Sequence, residues 1–251
     1  MQHPTLFFLH ALGMSGREWH AVVDALGVEY DCEPLDFPGF GDSAPLGHRP
    51  LGELVDWTVE RIKSRHSPAW AIVGHSMGGK VATLVASRAL HGEAGLTGCL
   101  GVVLVAASPP SPEPMDEDRR QRMIRWFEGG APGRQNAEAF IEANTADGLD
   151  PIDHERSIDD VRRTHPAAWI GWLARDSRED RSSSVGQLLV PALVVAGGED
   201  DDLGEDAQRR LNVPHYPKAE VHVIDGAAHL IPMEQPQALT AAIVPRLRTW
   251  F

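Results

Sequence analysis

A chain of 251 residues is long enough for one α/β unit carrying an insertion and too short for two full catalytic domains. Its formal charge of −13, with Lys63, Lys80 and Lys218 as the only lysines, provides no basic stripe for phosphates, which argues against nucleic-acid partners and anionic membrane surfaces. No segment approaches the roughly 20 consecutive apolar residues of a bilayer span. The two cysteines, Cys32 and Cys99, lie in apolar, strand-like stretches and read as buried free thiols, a usage that suits a reducing cytoplasm.

In chain order, short β-rich apolar runs alternate with longer stretches of helical period, the pattern of a parallel sheet covered on both faces. Met1-Gln2-His3-Pro4 leads into the first strand, Thr5–Leu9, and has neither the charge nor the length of a signal segment. The further strands predicted are Tyr30–Leu35, Ala69–Val73, Leu100–Ala106, Ala192–Ala196 and Glu220–Ile224. Between them Leu51, Leu54, Val55, Val59 and Ile62, and then Val81, Leu84, Val85 and Ala89, recur at spacings of three and four and predict covering helices. With so little chain before Thr5, the expected sheet has about six parallel strands and no leading antiparallel hairpin.

The alternation breaks between Pro109 and Gln187. This stretch opens on Pro109-Pro110-Ser111-Pro112-Glu113-Pro114 and continues through helical patterns without a convincing strand, so it reads as an inserted helical cap. The expected organisation is a core built from residues 1–108 and 188–251, with the cap at 109–187. The closing segment Pro236–Phe251 has helical spacing, with Pro245 expected to kink or break it.

The chemistry concentrates at Ala71-Ile72-Val73-Gly74-His75-Ser76-Met77-Gly78-Gly79-Lys80-Val81-Ala82, a strand running into a helix across Gly-x-Ser-x-Gly. The motif alone is weak evidence. Between a Val-rich strand and a good helix it is the context of a nucleophile elbow, in which a strained tight turn presents the Ser Oγ and the glycines let strand and helix approach. The helix starting near Met77 turns its N-terminal N–H groups toward developing negative charge.

On these residues the sequence resembles the α/β-hydrolase superfamily, in particular its small esterase, enol-lactonase and haloperoxidase-like members, over nearly the whole chain and least in the cap. The resemblance implies that fold, no cofactor, and a Ser–acid–His order along the chain. It makes Ser76 the nucleophile and, in Asp225-Gly226-Ala227-Ala228-His229-Leu230-Ile231-Pro232 after the last strand, His229 the general base, a task that suits imidazole near neutral pH. The acid falls within Gly197-Gly198-Glu199-Asp200-Asp201-Asp202: the family's Gly-x-x-Asp pattern selects Asp200, and counting from Gly198 selects Asp201. The oxyanion hole implied is the backbone N–H of Leu12 with that of Met77, in a first loop where Ala11 stands for the family's usual Gly. His10 reads as a loop-bracing residue, and Phe37-Pro38-Gly39-Phe40-Gly41 as a turn beside the nucleophile.

In the cap, Trp126, Trp169 and Trp172, with Met115, Met123, Phe127 and Phe140, are candidates for an apolar substrate pocket. The function expected is hydrolysis of a small to medium apolar ester or lactone. The same parts would serve a thioesterase, a carbon–carbon bond hydrolase or a perhydrolase. A ligand-binding sensor on the same fold would have no need of the intact triad. Ser76 argues against the Asp-nucleophile dehalogenases and epoxide hydrolases, and the absence of His-x-x-x-His spacing argues against a metal-dependent enzyme. The partner expected is a small molecule; oligomeric state and the individual substrate leave no mark in the sequence.

Overall fold

The computed structural model describes residues 3–27 and 29–251; Met1 and Gln2, part of the leading segment discussed above, lie outside them. Six strands, β1 (Thr5–Leu9), β2 (Asp31–Leu35), β3 (Trp70–His75), β4 (Cys99–Val105), β5 (Ala192–Gly197) and β6 (Ala219–Ile224), form one parallel sheet in the order β2-β1-β3-β4-β5-β6. This is the α/β-hydrolase architecture, and each strand lies within two residues of its expected bounds.

Alternation along the strands sorts side chains between two cores. Phe7, Leu9, Ile72, Val102, Leu104 and Val194 face one side, where they meet Leu54, Val55 and Val59 of α2 (Leu51–Arg65) and Val81 and Val85 of α3 (Met77–Leu90). Leu6, Phe8, Val73, Val103, Val105 and Val195 face the other, against Val22 and Leu26 of α1 (His20–Leu26) and the C-terminal helix, Pro236–Trp250. The outer strands β2 and β6 are only partly covered. On β2, Asp31 and Glu33 pair with Arg65, and such charges discourage further strand pairing at an edge.

The C-terminal helix passes Pro245 without the expected break. Pro245 stands on its exposed face, as does Ala241, whose carbonyl loses the N–H partner a proline cannot supply, while Leu239, Ile243 and Leu247 keep the buried stripe continuous.

Between β4 and β5 the described chain forms helices joined by loops, with no strand: α4 (Glu117–Arg125), α5 (Arg134–Glu142), α6 (Pro151–Arg163), α7 (Pro166–Ala174) and the short α8 (Ser182–Val185), with a 3-10 turn at Asp176–Arg178. The starts of these helices follow from local chemistry. Asp116 accepts the Arg119 N–H, Asp150 accepts those of Ile152 and Asp153, and Pro151 and Pro166 occupy first-turn positions whose N–H would be unpaired in any case. Met123, Phe127, Phe140, Val161, Trp169 and Trp172 from this segment join the core on the α2–α3 side of the sheet.

Where the segment leaves and rejoins the sheet its two arms are bonded to each other, Glu113 N–H to Ser177 O at 2.8 Å and Arg181 N–H to Pro110 O at 2.8 Å. The wholly buried Lys80 of α3 donates through Nζ to the carbonyls of Ser111 (3.2 Å), Ser177 (3.2 Å) and Glu179 (2.7 Å), tying both arms to the helix that follows Ser76. Arg120, also buried, donates to Leu173 O and Ser177 Oγ. Among the described residues no helix is long and apolar enough to cross a membrane.

Candidate active site

The sheet order reverses between β1 and β3, and in open parallel sheets the crevice beyond the C-terminal strand ends at such a switch point is where ligands bind. The loops that follow β1, β3, β5 and β6 carry Leu12, Ser76, Asp200 and His229 respectively.

Ser76 occupies the single residue between β3 and α3, at φ 50° and ψ −119°, a conformation rare for a residue with a Cβ and the mark of a strained elbow. Close packing explains the flanking glycines. A Cβ on Gly74 would lie 2.4 Å from Gly78 O, and one on Gly78 would lie 2.3 Å from Leu9 O. Backbone bonds then hold the turn from three directions: Ser76 N–H to Val105 O at 3.0 Å, Gly78 N–H to His10 O at 3.2 Å, and Ser108 N–H to Ser76 O at 2.9 Å. His10 braces the first loop. Its Nε2 accepts the Phe37 N–H, and its ring packs edge-on to Phe37 and Phe40.

His229 Nδ1 donates to Asp200 Oδ2 at 2.8 Å. Asp200 Oδ1 accepts the N–H groups of Asp202 and Leu203 at 3.0 and 2.9 Å, so the carboxylate is locked in its turn. Burial alone would raise the Asp200 pKa, but the His229 charge, the His229 hydrogen bond and the two N–H donors bring it down to about 2. For His229 burial again opposes the shift, and Asp200, with Glu113 further off, raises the ring above the ordinary histidine value. Asp201 is exposed, and Asp202 pairs instead with Arg119 of α4.

Neighbours that the sequence did not single out hold the His229 loop. His75 places Nε2 2.8 Å from His229 O and Nδ1 3.1 Å from Oε1 of the buried Glu18, which also accepts the Ala11 N–H at 3.3 Å. One carboxylate thus joins the first loop, the elbow and the histidine loop. From the helical segment, the Asn144 carbonyl accepts the N–H groups of both His229 and Leu230, and Glu234 bridges Ala146 and Ala228. Single charged or amide residues of this kind carry no motif; Glu18, one residue before the end of the 3-10 turn Gly16–Trp19, is buried beside Trp19 while Arg17 before it is exposed.

Ser76 and His229 line one cavity, with Ala11, Leu12, Glu113, Met115, Met123, Phe140, Asn144 and Trp172 around it. About 40 Å³ of it is open to the centre of a water molecule. A shallower groove between α4 and α5 shares Arg119, Met123, Phe140 and Asn144 with the cavity, and Trp126 lines that groove. Trp169 lines neither. It is wholly buried, stacked on Phe127 at 4.4 Å with its Nε1 donating to Met123 O, and so supports the wall from behind. Leu12 lines the cavity beside Ser76, and Met77 is the first residue of α3, where a backbone N–H has no partner within the helix.

The sequence profile of the alpha/beta hydrolase family matches residues 6–243. The chain belongs to this family. Among curated relatives, it is 28% identical over 253 residues to a pimeloyl-[acyl-carrier protein] methyl ester esterase of Aeromonas hydrophila, covering 94% of this chain and 92% of that protein. It is 26% identical over 275 residues to a 2-succinyl-6-hydroxy-2,4-cyclohexadiene-1-carboxylate synthase of Escherichia coli, covering 98% and 94%. A biotin biosynthesis bifunctional protein of Cellvibrio japonicus is 25% identical, and the match spans 97% of this chain but only 47% of that protein. Among solved structures, an esterase from Exiguobacterium antarcticum superposes with a TM-score of 0.86 at 16% identity, over 98% of this chain and 92% of that one. An enol-lactonase from Burkholderia xenovorans does so at 0.81 and 21%, over 99% and 92%. At these identities the structural likeness speaks for the fold.

Proposed function

We propose that this family member hydrolyses small carboxylic esters through an acyl-enzyme on Ser76, with His229 as general base, Asp200 as its orienting carboxylate, and the backbone N–H groups of Leu12 and Met77 as the oxyanion hole. The observation that carries this reading is the Asp200–His229 hydrogen bond of 2.8 Å standing beside a strained Ser76 in one shared cavity. Similarity to proteins named as esterases supports the reaction class.

In this mechanism the bond from His229 Nδ1 to Asp200 fixes the tautomer that leaves Nε2 free to take the Ser76 proton. Asp200 then stabilises the imidazolium that forms, and His229 returns the proton to the leaving alcohol. Water, deprotonated by the same ring, releases the acid. Strain at Ser76 presents Oγ at the head of α3, where the helix N-terminus favours the developing oxyanion.

The helical segment 109–187 acts as a cap in this reading, since Glu113, Met123, Phe140, Asn144 and Trp172 come from it. The space beside Ser76 holds on the order of three waters, which favours short acyl groups over medium ones.

Ser76→Ala should lower kcat on p-nitrophenyl acetate by roughly a thousandfold or more, as for any triad nucleophile. Retained turnover overturns the assignment. Wild-type protein inert toward every short ester would favour the ligand-sensor reading.

A further inference from the structure

Glu113 is the one carboxyl on the wall of the Ser76 cavity that comes from the outgoing arm of the helical segment, and it is not a member of the proposed triad. The residue is nine-tenths buried. Ser108, whose N–H holds the Ser76 carbonyl, donates its Oγ–H to Glu113 Oε2. The other oxygen, Oε1, has no hydrogen-bond partner among the described residues, and the side chain borders the cavity. Asn144 stands on the same wall with its Nδ2 bonded to Phe140 O, again leaving its side-chain oxygen without a protein partner.

We propose that Glu113 is a specificity-determining residue whose carboxyl binds a hydroxyl carried by the substrate within a few bonds of the scissile carbonyl, making short hydroxylated esters the preferred substrate class. This inference rests on the reading of Ser76 as the nucleophile.

The alternatives fit the wall less well. An alkyl group against Glu113 would leave a buried polar group unpaired, which is costly. An anionic group would face the Glu113 carboxyl, and a cationic one would lie in the field of Lys80 and Arg120, which already act on Glu113 electrostatically. A hydroxyl accepts from a protonated carboxyl and donates to an ionised one, so it suits Glu113 in either state. Burial pushes the Glu113 pKa up, and Ser108, His229, Lys80 and Arg120 act against that shift. Sites built to bond a substrate hydroxyl discriminate far more strongly against its absence than apolar pockets do against an added methylene.

The test compares kcat/KM within near-isosteric pairs by pH-stat titration. Methyl 3-hydroxybutyrate is set against methyl 3-methylbutyrate, placing the hydroxyl on the acyl side, and 2-hydroxyethyl acetate against propyl acetate, placing it on the alcohol side. The wild type should favour the hydroxylated member of one pair by tenfold or more, and that pair identifies the side that Glu113 reads. Glu113→Met should bring that ratio to near one, and Glu113→Gln, which keeps an acceptor and a donor, should restore part of it. Because the readout is a ratio within each variant, a general loss of rate does not obscure it. Ratios near one for both pairs in the wild type, or a ratio unchanged in Glu113→Met, overturn the inference. If Ser76→Ala is inactive while the wild-type ratios are near one, the inference alone has failed; if Ser76→Ala keeps its turnover, the nucleophile has been misassigned.

Discussion

The His75 ring, one residue before Ser76, lies with Nε2 2.8 Å from the carbonyl oxygen of His229. Its other nitrogen faces Glu18, so the neighbour of Ser76 and the backbone of His229 share one buried chain of contacts. Glu18→Gln or His75→Phe should therefore lower kcat by about tenfold to a hundredfold with little change in KM, since small misplacements of a catalytic group are expensive. Steady-state kinetics on p-nitrophenyl acetate with circular dichroism as a fold control decides it. A pure KM effect would contradict a positioning role.

Asp200 and Asp201 separate by geometry. Asp200→Asn should cost about four orders of magnitude in kcat, because an amide cannot hold the same imidazole tautomer. Asp201→Asn, on an exposed side chain, should stay within about twofold. Comparable mild effects in both variants would move the catalytic acid elsewhere.

The pH profile follows from the sign of the His229 shift. As the proposed base, His229 works as the neutral ring, and Asp200 raises its pKa above the ordinary histidine value of 6.5, so kcat/KM should rise with pH through a midpoint above 6.5. Glu113 contributes to that shift, and Glu113→Gln should move the midpoint to lower pH. Asp200 has the opposite sign: its pKa falls from 3.8 to about 2, so its contribution to stability is present above 3.8 and is lost as pH falls through about 2. Acid unfolding of Asp200→Asn should lack that component. A profile flat from pH 5 to 8 would exclude His229 as base.

Lys80 should show its burial in alkaline stability. Burial brings its pKa from 10.5 to about 8, against the opposing pull of Glu113, Glu179 and Asp180, with Arg181 acting in the same direction as burial. Between those values the unfolded chain binds more protons than the folded one, so this residue's contribution to stability increases as pH rises from 8 to 10.5. The stability of the wild type relative to Lys80→Met should climb across that window, by an amount on the order of 3 kcal/mol at full effect, and the difference in Tm should widen with it. A constant difference would place the ammonium in contact with water.

Backbone contact at the elbow makes Gly78→Ala a severe substitution. Its Cβ would meet Leu9 O at 2.3 Å, and neither the β1 strand nor the start of α3 can yield without losing the Ser76 turn. A loss of about 2 kcal/mol or more is expected, whereas Gly52→Ala, whose Cβ meets nothing in α2, should be neutral or gain up to about 1 kcal/mol. Thermal melts of the two variants check this.

Some of this protein was legible from order along the chain. Ser76 could be found because an elbow is a local device: a strand, two glycines and a helix start within nine residues impose the strain by themselves. The inner strands were legible for a similar reason, since strands buried on both faces are nearly continuous apolar runs, and the outer β2 and β6 by their place in the alternation of strand and helix. Tertiary structure decided the rest. Whether Asp200 or Asp201 meets His229 depends on how the turn after β5 sits beside the loop after β6, a relation set by strand pairing. Trp169 and Trp172 are three residues apart on α7, yet one lies behind the wall and the other on it, because helix rotation against the sheet separates them. Glu18, Lys80 and Glu113 look in sequence like ordinary surface charges. They acquire meaning only when folding removes them from water and leaves each needing a partner, and it is those partners that join the elbow, the histidine loop and the helical segment into one site.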